Sequence, residues 1–440
     1  MSISINERLE DGIATGRLLV GQLYYPGKQA THQTDRKKLG VSRVSQAGDP
    51  ILYRPATDWE EIAICQFLEA FVYPDQSPPV IAFQYLSFLP DLYGKSFDRS
   101  CLTEAITAVA FARLANLQQA NTDLSLRARK AYASALSLVN RSMSVPEQRK
   151  SDEVLATLCL LAKYELIAGD ATDRLFQSHE RGQAALIGER HHVEWLRSDV
   201  GVGLFRLVYI RHLLNCVATG ERPSVNLGQN ACELAFPEPC VRKLMGLTYR
   251  IAALRYNAAQ LVCEFDSPNQ TDQLAEDAVK LDAAMTELLR ELPAGMRYYT
   301  IDDHAQGFDR GYSPPLINIF QDLQHASFWH VFFYGLLHVQ QTLLQYASYP
   351  NTLSIADLRM RLLSNVDDIC ASVPYALNED CSSAFITTKG GGAVAAHYLT
   401  WLLTAASSIQ IVPAAQKEWM AGRLSYIGFA HGIKEALMHA

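Results

Sequence analysis

The stretch Pro315 to Tyr346, PLINIFQDLQHASFWHVFFYGLLHVQQTLLQY, decides how the rest of the chain is read. At 3.6 residues per turn it is long enough for about eight or nine helical turns. Apolar residues surround it on almost every side, which predicts a helix buried in the middle of a protein. His325, His330, Tyr334, His338, Gln340, Gln341 and Gln345 interrupt that apolar surface. His330, Tyr334 and His338 are spaced i, i+4, i+8 and share one face. His325, Trp329 and Phe333 share a second face by the same rule. Such a helix is either a core element whose histidines find hydrogen-bond partners or the wall of a pocket, and both readings stay open.

The composition bounds what surrounds this helix. The chain is 49% hydrophobic and 19% charged, a balance that predicts a large core. Its 440 residues allow two or three domains, although an all-helical array runs longer as one unit. The net charge is -7 and no basic stripe appears, so bulk nucleic-acid affinity is not expected. Cysteines stand at positions 65, 101, 159, 216, 232, 240, 263, 370 and 381, with no CxxC pair. That pattern predicts reduced, buried thiols in an intracellular protein (cytoplasm or nucleus) rather than a disulfide framework or a zinc site. The first 25 residues lack the apolar core of a signal peptide. No uncharged apolar run is long enough to read as membrane-spanning, Val331 to Leu344 coming closest, so no membrane partner is expected.

Residues 1–55 are polar with little periodicity and predict a flexible arm carrying the basic patch Arg36-Lys37-Lys38. Residues 56–440 predict a single helical domain. Asp58 is placed to cap a helix bearing Ile62, Cys65, Leu68 and Phe71. Ser100 to Gln119, Leu124 to Met143, and Ser151 to a stop near Gly169 follow. His179 to Glu189, Trp195 to Cys216, Cys240 to Phe265 and Gln273 to Leu292 continue the pattern. Ile355 to Ala371, Ala393 to Ser408 and Lys417 to Met438 complete it. Residues 294–314 read as the one long irregular stretch, of the kind that serves as a lid or binding loop. With almost no strand alternation, the fold class is all-α, an array of about 14–18 helices.

Taken together, the ordered segments resemble a known family. Ser87 to Tyr93, Leu102 to Ala115, Ala128 to Leu138, Asp152 to Leu166, His179-Glu180-Arg181-Gly182, Arg222-Pro223, Ala326 to Trp329, Ala371-Ser372-Val373-Pro374 and Trp419 to Ala436 come in the order seen in the fungal-specific transcription factor domain. That domain is the helical regulatory region of binuclear zinc cluster regulators. The resemblance covers roughly residues 58–438 and implies an all-helical fold, a fungal source, a regulatory role and a possible homodimer. The family's DNA-binding module needs six closely spaced cysteines, and no cysteine precedes residue 58. Direct sequence-specific DNA binding is therefore not expected, because the short basic arm neutralises too few phosphates to replace that module. Two departures from the family pattern add rings. His330, Val331, Phe332, Phe333 and Tyr334 follow Trp329 where the family has asparagine and arginine, and His397-Tyr398-Leu399-Thr400-Trp401 follows the Gly390 to Gly392 turn without the usual proline. Rings of this kind suit a pocket for a rigid apolar molecule.

Several chemistries find no support. Asp302-Asp303-His304 with Asp309 has the donor types for a divalent ion, but it reads better as a polar turn, and the spacing does not match a diphosphate-ionising cyclase. Asn365-Val366-Asp367-Asp368 reads as a solvated helix face. There is no GxSxG elbow and no phosphate or dinucleotide fingerprint, so no cofactor and no bound metal are expected. Two readings remain. One is a receptor for a small apolar metabolite, with His325, Trp329, Phe333, Asp302, Asp303, His304, Tyr398 and Trp401 as its binding residues. The other is a cofactor-independent cyclase, isomerase or dehydratase of secondary metabolism, with His330, Tyr334 and His338 as acid-base groups.

Overall fold

In the computed structural model of the chain, sixteen α-helices stand among the described residues, with two short strands. The structure describes residues 58–72, 85–97, 99–119, 121–169, 173–190, 194–224, 229–263, 268–302, 312–346, 354–378 and 392–440. The first helices are α1 (Trp59–Phe71), α2 (Leu89–Lys95), α3 (Cys101–Leu117), α4 (Thr122–Met143), α5 (Pro146–Arg149), α6 (Asp152–Ala168), α7 (Asp173–Gly188) and α8 (Asp199–Thr219). They are followed by α9 (Gln229–Ala235), α10 (Pro239–Cys263) and α11 (Pro268–Glu291). After the strands β1 (Tyr299–Asp302) and β2 (Leu316–Ile319) come α12 (Leu323–Gln345), α13 (Ile355–Ala376), α14 (Gly392–Ser407), α15 (Ala414–His431) and α16 (Lys434–Met438). The expected N-terminal arm lies outside the described residues.

Capping chemistry sets where the helices begin. Asp58 accepts from the N–H groups of Glu60 and Glu61 at the start of α1. Ser100, Asn121, Ser151, Ser198, Asp322 and Ser354 do the same for α3, α4, α6, α8, α12 and α13. Each satisfies orphan donors whose loss costs about 0.5–2 kcal/mol. Gly169 and Gly220 end α6 and α8 at φ 68° and 71°, the left-handed conformation that glycine adopts without penalty.

α3, α4 and α6 pack on one another, with α1 and α7 against them. α8 links this group to α10, and α12 packs against α8, α10, α11, α13 and α14. The C-terminal helices then return: α15 touches α3 and α16 touches α6. Asn116 of α3 ties the return by donating to the carbonyls of Ile167 and Gly432, at 2.6 and 2.9 Å.

Several boundaries differ from expectation: α7 begins at Asp173 and not His179, α8 at Asp199 and not Trp195, α13 runs on to Ala376, and β1 lies within residues 294–314, which read as irregular. The central helix starts at Leu323, not Pro315, because Leu316–Ile319 pairs antiparallel with Tyr299–Asp302, Asp302 opposite Leu316 and Tyr299 opposite Ile319. Ile317, Asn318 and Ile319 are all buried, so β2 shows no apolar-polar alternation to betray a strand. The last helix breaks at Gly432, φ 73°, and α16 turns back across α15, where Leu437 occupies the space beside Gly428.

Gly201 holds the start of α8 tight. Its N–H donates to Ser198 Oγ at 3.0 Å, and a Cβ at this position would collide with the Trp195 carbonyl oxygen. Gly201→Ala is expected to destabilise the fold by about 1–3 kcal/mol, the usual range for overpacking, read as a lower urea midpoint with unchanged slope.

Candidate functional site

One side of α12 borders empty space. A cleft of about 420 Å³ opens between α11, α12 and α13. Trp329, Phe332, Phe333, Leu336 and Gln340 contribute from α12, Leu289 from α11, and Asn365 and Asp368 from α13, with Tyr298 ahead of β1. The i, i+3, i+4 spacing of these α12 positions places them on adjoining faces of the helix. Their rings are mutually braced. Tyr298 meets Trp329 edge-on at 4.6 Å, and Trp329 lies 5.4 Å from Phe332 and 5.5 Å from Phe333 between centroids. The Trp329 indole N–H is fixed on the Met296 carbonyl at 2.8 Å, so the indole is held rigidly at the cleft.

Polar groups around the cleft are anchored to the frame. Arg361 Nη2 reaches both carboxylate oxygens of Asp282, at 2.8 and 2.6 Å. Asn365 Nδ2 donates to the Phe333 carbonyl at 3.3 Å. The Tyr298 hydroxyl bonds to Asp368, whose carboxyl burial holds above its usual range. The hairpin of β1 and β2 is joined to the same wall, since Asn318 Nδ2 donates to the Asp368 carbonyl at 3.2 Å.

The opposite face of α12 is closed. His330 and Tyr334 border a void of about 10 Å³ together with Leu214, Val331, Tyr398, Trp401 and Leu402, room for about one water. Tyr334 and His338 stack edge to face at 4.7 Å. Neither ring nitrogen of His330 or of His338 has a hydrogen-bond partner. Burial pushes both imidazoles down to about 3, with Arg255 adding to the effect at His338. Burial raises the Tyr334 hydroxyl, which Arg255 partly opposes. A proton relay works best with groups poised near the operating pH. Burial favours the neutral form of all three.

The remaining expected site residues fall elsewhere. His325 lies in the first turn of α12 against its cap, Asp322: its Nδ1 lies 2.7 Å from Asp322 Oδ1, and its backbone N–H donates to the same oxygen at 2.8 Å. Burial pushes the Asp322 carboxyl up, but the bonds from His325 outweigh it and hold the group below its usual range. Asp302 is exposed at the end of β1. Asp303, His304 and Asp309 lie outside the described residues. Tyr398 and Trp401 join His330 at the small void. Of the residues singled out from sequence, Trp329 and Phe333 line the large cleft. Asn365 and Asp368, read as part of a solvated face, line it too, and Asn365 is buried. The i, i+4, i+7 spacing of Arg361, Asn365 and Asp368 was the available signal.

Beyond the void lies a buried charged cluster. Arg211 of α8 binds Glu180 of α7 through Nε at 3.0 Å and Nη2 at 2.6 Å. Lys163 of α6 lies 4.9 Å over the Tyr85 ring and 5.1 Å over the Phe71 ring, and its Nζ has no hydrogen-bond partner. Burial, with help from Arg211, lowers the Lys163 ammonium well below its usual range. Glu435 of α16 is pushed up to about 7 by burial, with Lys163 and a hydrogen bond from Trp401 opposing. These contacts fasten α6, α7, α8, α14 and α16 together. The seven described free cysteines add no cross-link. By length and composition α8 is apolar enough to cross a membrane, yet 72% of its most apolar stretch is buried inside the protein.

The architecture is an all-α array packed around one central helix. The fungal-specific transcription factor domain matches residues 81–369, and the chain belongs to that family. The transcription factor dbaG of Emericella nidulans is 25% identical over 379 residues, covering 81% of this chain and 85% of its own length. No solved structure matches. Glu180, which lies within one of the segments that carried the resemblance, is the buried partner of Arg211.

Proposed function

We propose that this chain is an intracellular regulatory domain that binds a small, mostly apolar metabolite in the cleft between α11, α12 and α13 and does not itself contact DNA in a sequence-specific way. Membership of a transcription factor family supports the regulatory role. A relative of similar length that bears the name transcription factor adds to it. The observation that carries the binding role is the cleft itself: its volume of about 420 Å³ falls in the range of ligand sites, and its walls are rings with a few convergent polar groups. Ligand occupancy would bias how α11 and α13 sit against α12, because a bound molecule shifts an equilibrium by its differential affinity for the two states. A homodimer is the proposed assembly, on family analogy.

Native mass spectrometry of the chain, after exposure to a fungal metabolite extract, is expected to show a retained small-molecule mass. Leu336→Trp fills the cleft from α12 and is expected to remove that mass while leaving helical content intact. Retention of the same mass by the Trp variant would place the ligand elsewhere. In a mobility-shift assay at moderate salt no sequence-specific complex is expected, and its appearance would overturn the DNA-free reading.

A further inference from the structure

Two guanidinium groups and a single carboxylate stand in the lining of the cleft, Arg297, Arg361 and Asp368. Arg361 is matched: its Nη2 reaches both carboxylate oxygens of Asp282. Arg297 is not. Its Nε donates to the Leu292 carbonyl at 3.3 Å and its Nη2 to the Arg290 carbonyl at 3.4 Å. Among the described residues no carboxylate pairs with it. A guanidinium carries five N–H donors, so two backbone bonds leave most of the fork open. Arg297 is also exposed, which keeps those donors within reach of a molecule entering the cleft. The two carbonyls hold the fork in place, so less freedom is lost when it binds.

The open fork adjoins the aromatic wall. Its chain neighbours on both sides touch Trp329: the Met296 carbonyl accepts from the indole N–H at 2.8 Å, and the Tyr298 ring meets the indole edge-on at 4.6 Å. Arg361 is anchored elsewhere. Its partner Asp282 lies eight residues before Arg290, about 12 Å along a helix. Asp368 is the group that opposes an anion here. It is already bonded by the Tyr298 hydroxyl, and burial raises its carboxyl.

We infer that the cleft takes an aromatic acid, its rings packed on Trp329, Phe332 and Phe333 and its one carboxylate held by the open N–H groups of Arg297. This rests on the proposed binding role and adds the chemical class of the ligand. A planar carboxylate matches the guanidinium fork, and fused rings match the aromatic wall. A single acidic group is what the lining accommodates, because Arg361 already carries the Asp282 carboxylate and Asp368 repels a second anion. A cavity of about 150 Å³ holds one benzene ring, so the volume of about 420 Å³ suits a multi-ring compound.

Calorimetric titration of the full chain with β-naphthoate and with β-naphthamide, which has nearly the same shape without the charge, tests this. The naphthoate is expected to bind at least about 5-fold more tightly, the scale of a partly solvated bidentate pair. Added salt is expected to weaken the naphthoate and leave the amide unchanged. In Arg297→Met the naphthoate is expected to fall to the affinity of the amide, while the amide is unaffected. Arg297→Lys, which keeps the charge but not the fork, is expected to retain part of the advantage. Equal affinity for the two probes, or an advantage that survives Arg297→Met, would overturn the carboxylate assignment and leave the cleft standing as an apolar site. Failure of both probes to bind a chain that is folded by circular dichroism would overturn the cleft as a site for aromatic ligands altogether.

Discussion

Replacing Arg211 by methionine is expected to cost about 3–5 kcal/mol of stability, the range for breaking a buried ion pair from one side. Arg211 and Glu180 have only 3% and 4% of their side-chain surface exposed. Burial pushes the Glu180 carboxyl above its usual range even while Arg211 pulls it down. Without the guanidinium the carboxylate has nothing to offset its desolvation, so it either stays charged at high cost or takes up a proton. The double variant Arg211→Met with Glu180→Met removes both charges and is expected to recover most of the loss, since apolar replacement of a whole buried pair is often neutral or better. Urea unfolding of the wild type and the two variants measures this. A double variant as unstable as the single one would show that shape, not charge, is what the pair supplies.

The second large effect is on acid stability. The folded imidazoles of His330 and His338 sit at about 3, against about 6.5 in an unfolded chain. Below pH 6.5 the unfolded chain therefore binds more protons, and stability falls with pH. What the two neutral histidines contribute is fully present above pH 6.5 and is lost as the pH drops toward 3. At pH 5 each has cost about 2 kcal/mol, from 1.36 kcal/mol per pKa unit. His397 and His431, also lowered by burial, act in the same direction. Glu435, raised to about 7, acts oppositely, because its folded carboxyl takes a proton before the unfolded one does. His330→Leu with His338→Leu is expected to reduce the stability difference between pH 7.5 and pH 5 by about 4 kcal/mol. At pH 7.5 the same double variant is expected to be neutral or stabilising, since it removes buried nitrogens that lack partners. Urea midpoints at the two pH values decide this, and an unchanged difference in the double variant would show that these imidazoles are not the acid-sensitive groups.

Local chemistry made much of the fold legible. Asp58 caps the helix it was expected to cap, because a cap is a contact between residues two or three apart. Gly169 stops α6 for an equally local reason. The strand at Leu316–Ile319 was not legible, since a segment buried on both faces has no period to read. The break at Gly432 escaped notice because α16 turns back against α6, and that partner is remote in sequence.

The candidate site was legible in part. Trp329 and Phe333 were singled out from the ring content of the central helix and do line the cleft. Asn365 and Asp368 were misread, because a polar residue on an amphipathic helix looks the same whether it faces bulk water or a cavity.

The amino-acid order by itself determined the helical class, the Asp58 cap, the presence of a long apolar rod in the central stretch and the family. The tertiary structure alone decided which side of that rod stays open. Helical periodicity fixes which residues share a face. Whether that face meets a neighbour or a gap depends on how far α11 and α13 stand from α12, and that spacing is set by side chains on three separate elements. The aromatic face of Trp329 and Phe333 therefore borders a cleft of about 420 Å³, while the face of His330 and Tyr334 closes on a void of about 10 Å³.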